Sequence, residues 1–308
     1  MIQELERKQY KPNAGNKYHI DCKYIEENTN QIQITKLIRN QKDISILSAV
    51  IQEKKNQNQR HIVVKIGRED RTIEKEYNYG KELEKTKIPG FINYMCLFSC
   101  IDDTHLRGET PHEICKGKED NPENHKKVLI MPYIMGGSIK YFDWNSNNFH
   151  ILKSVLLQTL MSIFLAFHKV GFIHGDLHLD NILLKKTKKQ EITYVLGDQT
   201  YSIPTNGYKI VIMDFDSSWM HVNKEEAIEF YWLDVYNMIS RVNLDLSSKK
   251  GNRVIMNDNI KILNYIQNQR LKRADAKNTL KIMDMIGDFS WVENLLHNKL
   301  SYNPNIFG

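Results

Sequence analysis

Three oxygen-bearing side chains stand at spacings that suit chemistry on a phosphate group. Asp176 and Asn181 belong to the segment His174–Asn181, and Asp214 belongs to a later motif, Ile212–Asp216. A carboxylate can take the proton of an acceptor hydroxyl, while a carboxamide and a second carboxylate can hold magnesium against phosphate oxygens. A role limited to capping turns would not explain Asp214 in this order. The spacing therefore predicts phosphoryl transfer from ATP with Mg²⁺, with Asp176 as the base and Asn181 and Asp214 as metal ligands.

A lysine within an apolar strand precedes these motifs. Lys65 lies in Val63–Ile66, which resembles the strand motif of protein kinases whose lysine reaches the α- and β-phosphates. A buried ammonium group needs a counter-ion. The helix expected next along the chain carries four glutamates, Glu74, Glu76, Glu82 and Glu84. We predict that Glu76 pairs with Lys65 as part of the catalytic site, because Glu76 borders the apolar face of that helix.

The segment Val128–Gly137 resembles the kinase hinge, whose backbone binds the edge of adenine. The resemblance implies that Met131 borders the adenine pocket and that Tyr133 and Ile134 contact the nucleotide. Pro132 has no N–H, but the hinge needs a carbonyl at that position and an N–H two residues later. The two glycines that end the segment fit a simple turn between domains equally well.

The run from His174 to Asp214 is similar to the haspin group of the eukaryotic protein kinase-like superfamily. It shares with haspin the loop around Asp176, a long hairpin after that loop and a modified magnesium motif. His178 stands where most protein kinases have lysine, as in haspin and in small-molecule kinases such as aminoglycoside phosphotransferases. The superfamily likeness runs roughly from Ile32 to Val242. These resemblances imply a serine/threonine protein kinase with a basic or chromatin-like protein substrate.

The periodicity of apolar residues divides the chain into three parts. Residues 1–30 have no clear periodicity and are interpreted as an extension. Residues 31–132 alternate strands and turns around one amphipathic helix, Glu69–Lys85, and residues 133–308 are mainly helical from Phe149–Val170 onward. We therefore predict an α+β fold of the bilobal kinase type: an N-lobe with a five-stranded antiparallel sheet and one helix, and a mainly helical C-lobe. The predicted strands are Ile32–Ile38, Ile46–Gln52, His61–Ile66, Phe91–Ser99 and Lys127–Met131.

The turn Arg39–Ser45 departs from ordinary kinases because it contains no glycine. Glycines in this turn let the backbone approach the phosphates closely. Lys42 and the hydroxyl of Ser45 are the candidate replacements for nucleotide binding. A pseudokinase that acts as a scaffold is the alternative interpretation.

The path from Asp214 to Asp234 is a second departure, because it is too short for a long activation segment and no Ala-Pro-Glu motif is present. Gly175 also replaces the arginine that contacts an activation-loop phosphate in regulated kinases. We therefore expect no control by activation-loop phosphorylation. Asp234 is interpreted as a structural residue, since the resemblance implies that it anchors the backbone of the loop around Asp176.

The amino-acid composition indicates where in the cell the protein is expected to act and which classes of partner are expected. Lys plus Arg number 43 and Asp plus Glu 37, and this modest net charge of +6 is spread along the chain, so we expect no direct nucleic-acid binding. Polar residues interrupt the apolar run that ends at Val170, so no membrane span is expected. The few cysteines and the polar start indicate a reducing, intracellular compartment, cytoplasmic or nuclear. A high content of Asn, Ile and Lys is typical of AT-rich genomes such as those of large DNA viruses. We therefore include an infected cell or a virion among the expected locations of the protein.

Two local patterns have ordinary explanations. Five Cys and His residues between Cys96 and Cys115 could offer zinc ligands, but their spacing fits no standard ligand pair. We interpret Cys96 and Cys100 as ordinary core cysteines. The tract Lys185–Lys189 is interpreted as a solvated hairpin turn.

Overall fold

Five strands form one antiparallel sheet with the order β1-β2-β3-β5-β4, so the predicted five-stranded antiparallel sheet is confirmed. Successive side chains of a strand point to opposite faces, which lets each strand bury one face and use the other. The strands are β1 Ile32–Gln41, β2 Ile44–Gln52, β3 Gln59–Arg68, β4 Cys96–Ile101 and β5 His125–Pro132. The computed structural model describes residues 22–27, 29–41, 44–52, 59–68, 71–101, 114–115, 125–144, 148–247, 253–269 and 276–286.

The fourth strand is shorter than predicted. It begins at Cys96 rather than at Phe91, because Phe91 leaves the sheet and forms an isolated backbone bridge with Ile212. The neighbouring N–H of Ile92 donates to the carbonyl of Ile212 at 2.9 Å. This segment therefore connects the sheet to the later part of the chain that carries Asp214.

A short helix, α1, occupies Cys22–Glu27, where the sequence predicts only an extension. Six residues are too few for an apolar period to be visible in the sequence. The side chain of Ile25 is buried and belongs to the apolar cluster on one face of the sheet. Residues 22–27 are therefore part of the packed structure.

The four cysteines are joined in two disulfide bonds, Cys22–Cys96 and Cys100–Cys115. The interpretation of Cys96 and Cys100 as ordinary core cysteines is therefore wrong, because sequence spacing does not determine which thiols meet in space. The bonds connect α1 to β4, and β4 to a segment that precedes β5. Paired cysteines are unusual in a reducing compartment, and the compartment of this protein stays a prediction.

The two faces of the sheet differ in what they carry. On β3, Ile62, Val64 and Ile66 join the apolar cluster on one face, while Lys65 lies on the other. Helix α2, Arg71–Thr86, contacts the Lys65 face. Its buried positions recur every three or four residues, as an amphipathic helix requires, and they are Ile73, Glu76, Gly80 and Leu83.

Helix α3, Phe149–Val170, lies at the centre of the second apolar cluster. The stretch His150–Val170 is long and apolar enough to cross a membrane, but 83% of its most apolar window is buried inside the protein. A core helix has the same composition. Gly171 ends α3 with a φ of 59°, and its N–H donates to the carbonyl of Phe167 at 2.9 Å.

The remaining described elements surround α3. Strand β6, Ile182–Lys186, pairs with β9, Tyr208–Ile212, and strand β7, Glu191–Leu196, pairs with β8, Gln199–Pro204. The helices that follow are α4 Lys224–Ser247, α5 Arg253–Gln269 and α6 Ala276–Ile286. The described chain is thus α+β and compatible with a kinase-like fold, while its division into two lobes stays a prediction.

A buried glutamine fixes α3 to β9. Gln158 is only 1% exposed. Its Nε2 donates to the hydroxyl of Ser154 at 3.0 Å and to the carbonyl of Tyr208 at 3.1 Å, and its Oε1 accepts the N–H of Ile210 at 3.1 Å. An apolar replacement would leave buried polar groups without partners, which costs more than an average hydrogen bond contributes.

We expect Gln158→Leu to lower the free energy of unfolding by about 2 kcal/mol, because the N–H of Ile210 and the carbonyl of Tyr208 lose their partner. Urea unfolding followed by circular dichroism measures the change. Gln267→Leu, on an exposed face of α5, is the matched control and should change stability by less than about 0.5 kcal/mol. Similar losses for the two variants would contradict the role assigned to Gln158.

Candidate active site

A buried ion cluster joins β3, α2 and the motif that follows β9. The ammonium nitrogen of Lys65 lies 2.7 Å from Oε2 of Glu76 and 2.8 Å from Oδ1 of Asp214, and Oδ2 of Asp216 lies at 3.9 Å. The side chains of Lys65 and Glu76 are 5% and 1% exposed, whereas that of Asp214 is 29% exposed. One cation therefore holds together β3, the helix that follows it and the motif after β9, which is 149 residues further along the chain.

Glu76 is the one of the four helix glutamates that contacts Lys65. It lies on the buried side of α2, while the others are directed to partners elsewhere. Those pairs are Glu74 with Lys127, Glu82 with His221 and Glu84 with Lys81. The position of a residue relative to the apolar face of the helix thus separates the four, as the sequence argument assumed.

Burial and short contacts together set the charges of the cluster. Burial alone would lower the pKa of Lys65, but Glu76 and Asp214 raise it above its ordinary value, so the side chain stays an ammonium group. Burial alone would raise the pKa of Asp214, but Lys65 brings it below its ordinary value. Burial raises the pKa of Glu76 against the opposing effect of Lys65. The cluster therefore pairs an ammonium group with an ionised Asp214.

Tyr94 completes the surroundings of Glu76. Its hydroxyl donates a hydrogen bond to Oε1 of Glu76, and burial, with that carboxylate beside it, raises the pKa of Tyr94 well above its ordinary value. The ring of Tyr94 packs edge-on against Phe215, the residue after Asp214, with centroids 5.7 Å apart. Phe215 in turn packs edge-on against the ring of His174 at 5.8 Å. A chain of rings thus connects α2 to the loop that contains Asp176.

Two buried side chains hold the backbone of the loop around Asp176. The carboxylate of Asp234 on α4 accepts the N–H of His174 at 2.8 Å and that of Gly175 at 3.1 Å, which confirms Asp234 as an anchor. Burial raises the pKa of Asp234 to about 7, although the N–H donors lower it. Burial lowers the pKa of His174, whose Nε2 lies 3.0 Å from the carbonyl of Met213. The neutral ring therefore donates a hydrogen bond to the strand that leads to Asp214.

His178 lies between Asp176 and Asn181. Its Nε2 is 3.3 Å from Oδ2 of Asp176 and 3.4 Å from Nδ2 of Asn181. Its Nδ1 accepts the N–H of Asp180 at 3.2 Å, so Nε2 is the ring nitrogen that carries a hydrogen, and it faces Asp176. The sequence argument gave His178 no role, and its place within the loop was the only signal. The carboxylate of Asp176 is 54% exposed, which leaves it accessible to an incoming hydroxyl.

The amide of Asn181 is oriented so that its oxygen can bind a ligand. Nδ2 donates to the backbone carbonyl of Asp176 at 3.0 Å, and Oδ1 accepts no hydrogen bond from any residue that the structure describes. With the carboxylate of Asp214, this oxygen provides the hard donors that Mg²⁺ prefers. The residues therefore fit a magnesium ion that is also bound by nucleotide phosphates. Among the described residues, no three or more His, Cys, Asp or Glu are grouped to hold a metal.

The segment after Asp214 folds back onto the loop at once. Asp214 has a φ of 69°, in the left-handed region. The hydroxyl of Ser218 donates to the carbonyl of His174 at 2.8 Å. Gly175 has a φ of 80°, and a Cβ built on it would lie 2.9 Å from the ring of Trp219. The position therefore excludes the arginine of regulated kinases for a steric reason.

The segment after β5 has an open backbone edge where the kinase resemblance implies adenine. The N–H of Tyr133 donates to the carbonyl of His61 on β3 at 3.4 Å. The N–H of Ile134, in contrast, has no hydrogen-bond partner within the part of the chain that is described. Met131 is buried and Tyr133 is partly exposed. The structure therefore leaves the N–H of Ile134 available to a ligand.

Ser45 lies on the wrong face of the sheet for a phosphate contact. In the register of β2 and β3, Ser45 is opposite Ile66, whereas Ile46 is opposite Lys65. Opposite residues point to the same face, so the prediction of a phosphate contact by the Ser45 hydroxyl is wrong. A shift of one residue along a strand reverses the face, and sequence alone does not fix it. Lys42 lies outside the described residues. The β2 side chains on the Lys65 face are Ile44, Ile46 and Ser48.

A comparison with known protein families indicates which class of domain the chain is similar to. The sequence pattern of the ABC1 atypical kinase-like domain matches residues 122–237. The matched part contains Asp176, Asn181 and Asp214, whereas Lys65 and Glu76 precede it. This part of the chain is therefore similar to atypical kinase-like domains.

Individual relatives narrow the class. The serine/threonine-protein kinase haspin of Bos taurus is 42% identical over 155 residues, which are 47% of this chain and 20% of that protein. Haspin of Mus musculus is 42% identical over 91 residues, which are 29% of this chain and 12% of that protein. The uncharacterized protein 098R of Invertebrate iridescent virus 6 is 35% identical over 80 residues, which are 24% of this chain and 13% of that protein. The matches thus cover at most 20% of the length of these relatives. Over part of its length the chain is thus similar to haspin kinases, which confirms the resemblance found in the sequence.

Substitution of Gly80 tests the contact between α2 and the ring of Tyr94. A Cβ at Gly80 would overlap the ring of Tyr94, so we expect Gly80→Ala to lower the free energy of unfolding by about 2 kcal/mol. In a Tyr94→Ala background the ring is absent, and the same change should raise stability by about 1 kcal/mol because alanine is the better helix former. A double-mutant cycle measured by urea unfolding gives both values. The same effect in both backgrounds would mean that the contact does not exist.

Proposed function

We propose that the protein is an ATP- and Mg²⁺-dependent serine/threonine protein kinase of the haspin type. The observation that supports this most strongly is the ion cluster of Lys65 with Glu76 and Asp214, joined through Phe215 to the loop of Asp176. Burial of an ammonium group between two carboxylates is rarely the most stable solution for a core. The same arrangement is what phosphoryl transfer requires, since that reaction depends on positioning and on charge stabilisation.

In the proposed reaction each side chain has one task. Bound Mg²⁺ supplies neutralisation of charge on the phosphates. Lys65 exchanges its contact with Asp214 for oxygens of the α- and β-phosphates, while Glu76 keeps the ammonium group in place. Asp176 orients the acceptor hydroxyl and accepts its proton as the new O–P bond forms and the bond from the γ-phosphorus to the β,γ-bridging oxygen breaks, so that ADP leaves. His178 donates a hydrogen bond from Nε2 to the carboxylate of Asp176 and so fixes the direction of that carboxylate.

The proposal includes activity without phosphorylation of an activation loop. Helix α4 begins at Lys224, soon after Asp214. The intervening residues are already held in place, since Ser218 bonds to His174 and Trp219 pairs with Ile173 through backbone hydrogen bonds of 2.9 Å. No phosphate is needed to order a segment that is packed in this way.

The proposed substrate is a protein with serine or threonine acceptors, of basic or chromatin-like character. Asp180 and Asp216 are both about one-third exposed, at 38% and 33%, close to the loop of Asp176. Exposed carboxylates at this edge would favour a basic segment. We also propose an intracellular site of action, cytoplasmic or nuclear, and the similarity to a viral protein supports including infected cells.

Replacement of Asp176 separates catalysis from folding. We expect Asp176→Asn to lower phosphate transfer from labelled ATP to a panel of proteins by roughly 10²–10⁴-fold, because the amide cannot accept the proton. Asp198→Asn removes the same charge from the exposed turn between β7 and β8 and is the matched control. Asp198 lies outside both the ion cluster and the loop of Asp176, so its loss should change the rate by less than about threefold.

The outcomes of this experiment are distinct. Loss of transfer in Asp176→Asn alone supports the proposal, and equal rates for that variant and the wild type would contradict it. Wild-type protein that binds nucleotide but transfers no phosphate would be a pseudokinase scaffold, for which the absence of glycine where β1 passes into β2 is the motivation. Transfer to aminoglycosides but not to proteins would identify a small-molecule kinase.

A further inference from the structure

A cavity of about 530 Å³ lies apart from the residues of the candidate active site. It is formed by the C-terminal end of α2 and the turn after it, by the segment after β5, and by β6, β7 and β9. Neither Lys65 nor Asp176 nor Asp214 lines it. The side chain of Ile134 does, so the cavity lies behind the segment that we expect to bind adenine.

Four lysines line this cavity, namely Lys87, Lys185, Lys189 and Lys209. Lys185 on β6 and Lys209 on β9 are directly opposite in the strand register. Like charges on opposite residues of a strand pair destabilise a sheet. Lys185 and Lys189 are exposed, as expected of a solvated hairpin, and together with Lys209 they place three lysines in the lining of one cavity.

Lysines outnumber carboxylates in the lining of the cavity by four to two. The carboxylates are Glu84, which pairs with Lys81 at 2.9 Å, and Glu191, which accepts a hydrogen bond from Ser202 at 3.0 Å. Within the described residues, none of the four cavity lysines forms an ion pair. Burial, with Lys185 and Lys189 nearby, lowers the pKa of Lys209. An anion in the cavity would remove this repulsion.

The shape and lining of the cavity indicate the kind of anion. Its volume lies within the range of about 300–1,000 Å³ that is usual for small-molecule sites. No arginine is present among the described residues that line it. Arginine is favoured where a planar carboxylate is bound through two parallel hydrogen bonds, whereas lysine binds phosphate as a point charge. Ile88, Ile192 and Ile210 add an apolar wall for the body of a ligand.

We propose that this cavity binds a small molecule that carries two or more phosphate groups. Lys185, Lys189 and Lys209 contact the phosphates, and the apolar wall contacts the remainder of the ligand. The site is separate from that of the proposed nucleotide, and it is expected to exist whether or not the protein transfers phosphate. A ligand bound there touches the end of α2, the helix that carries Glu76.

Calorimetric titration with inositol hexakisphosphate tests this site, with unphosphorylated inositol as the ligand control. We expect wild-type protein to bind the hexakisphosphate and not inositol, and Lys185→Gln/Lys209→Gln to weaken binding by roughly tenfold or more. The matched control is Lys186→Gln/Lys188→Gln, which removes the same charge from the same hairpin outside the cavity. The control variant should bind like the wild type.

Folding does not obscure the result, because removal of two lysines that repel each other should leave the melting temperature equal or higher. Equal weakening in both double variants would mean non-specific attraction and would overturn the proposal. Absence of binding by the wild type would overturn it as well. Retention of full affinity by Lys185→Gln/Lys209→Gln would place the ligand elsewhere, for example at Lys65, with the same consequence.

Discussion

The buried ammonium group of Lys65 is the constraint on which the rest of the structure depends. A charge that is only 5% exposed is strongly destabilising unless it is paired at short distance. Glu76 and Asp214 provide that pairing from two other segments, at 2.7 and 2.8 Å. The sheet, α2 and the motif after β9 must therefore come together correctly for the core to be stable. The same requirement places Asp214 and, through Phe215 and His174, the loop of Asp176.

Neutral contacts support this ionic centre. Tyr94 donates to Glu76 and packs edge-on against Phe215, and it can do so because Gly80 has no side chain. Asp234 anchors the loop from the other side by accepting backbone N–H groups. Because these contacts reinforce one another, they hold α2, β3 and α4 in one rigid arrangement and do not act as a single salt bridge.

Local pattern predicted much of the fold and of the candidate site, and failed where the answer depends on distant contacts. The strands and helices around Lys65 follow from the period of apolar residues, and Glu76 follows from its place beside an apolar face. Ser45 was assigned wrongly because its face depends on strand register, which a shift of one residue reverses. The disulfide partners Cys22 and Cys96 are 74 residues apart, and no local feature connects them. The hydrogen bond of Tyr94 to Glu76 and the role of Gly80 likewise exist only in three dimensions.

The decisive measurement is a crystal structure with a non-hydrolysable ATP analogue and Mg²⁺. In that structure we expect Lys65 to keep its contact with Glu76 and to exchange its contact with Asp214 for phosphate oxygens. Asp214 and Oδ1 of Asn181 should lie at about 2.1 Å from the metal. A structure in which saturating analogue leaves Lys65 bound to both carboxylates, with the nucleotide absent or bound elsewhere, would contradict the account.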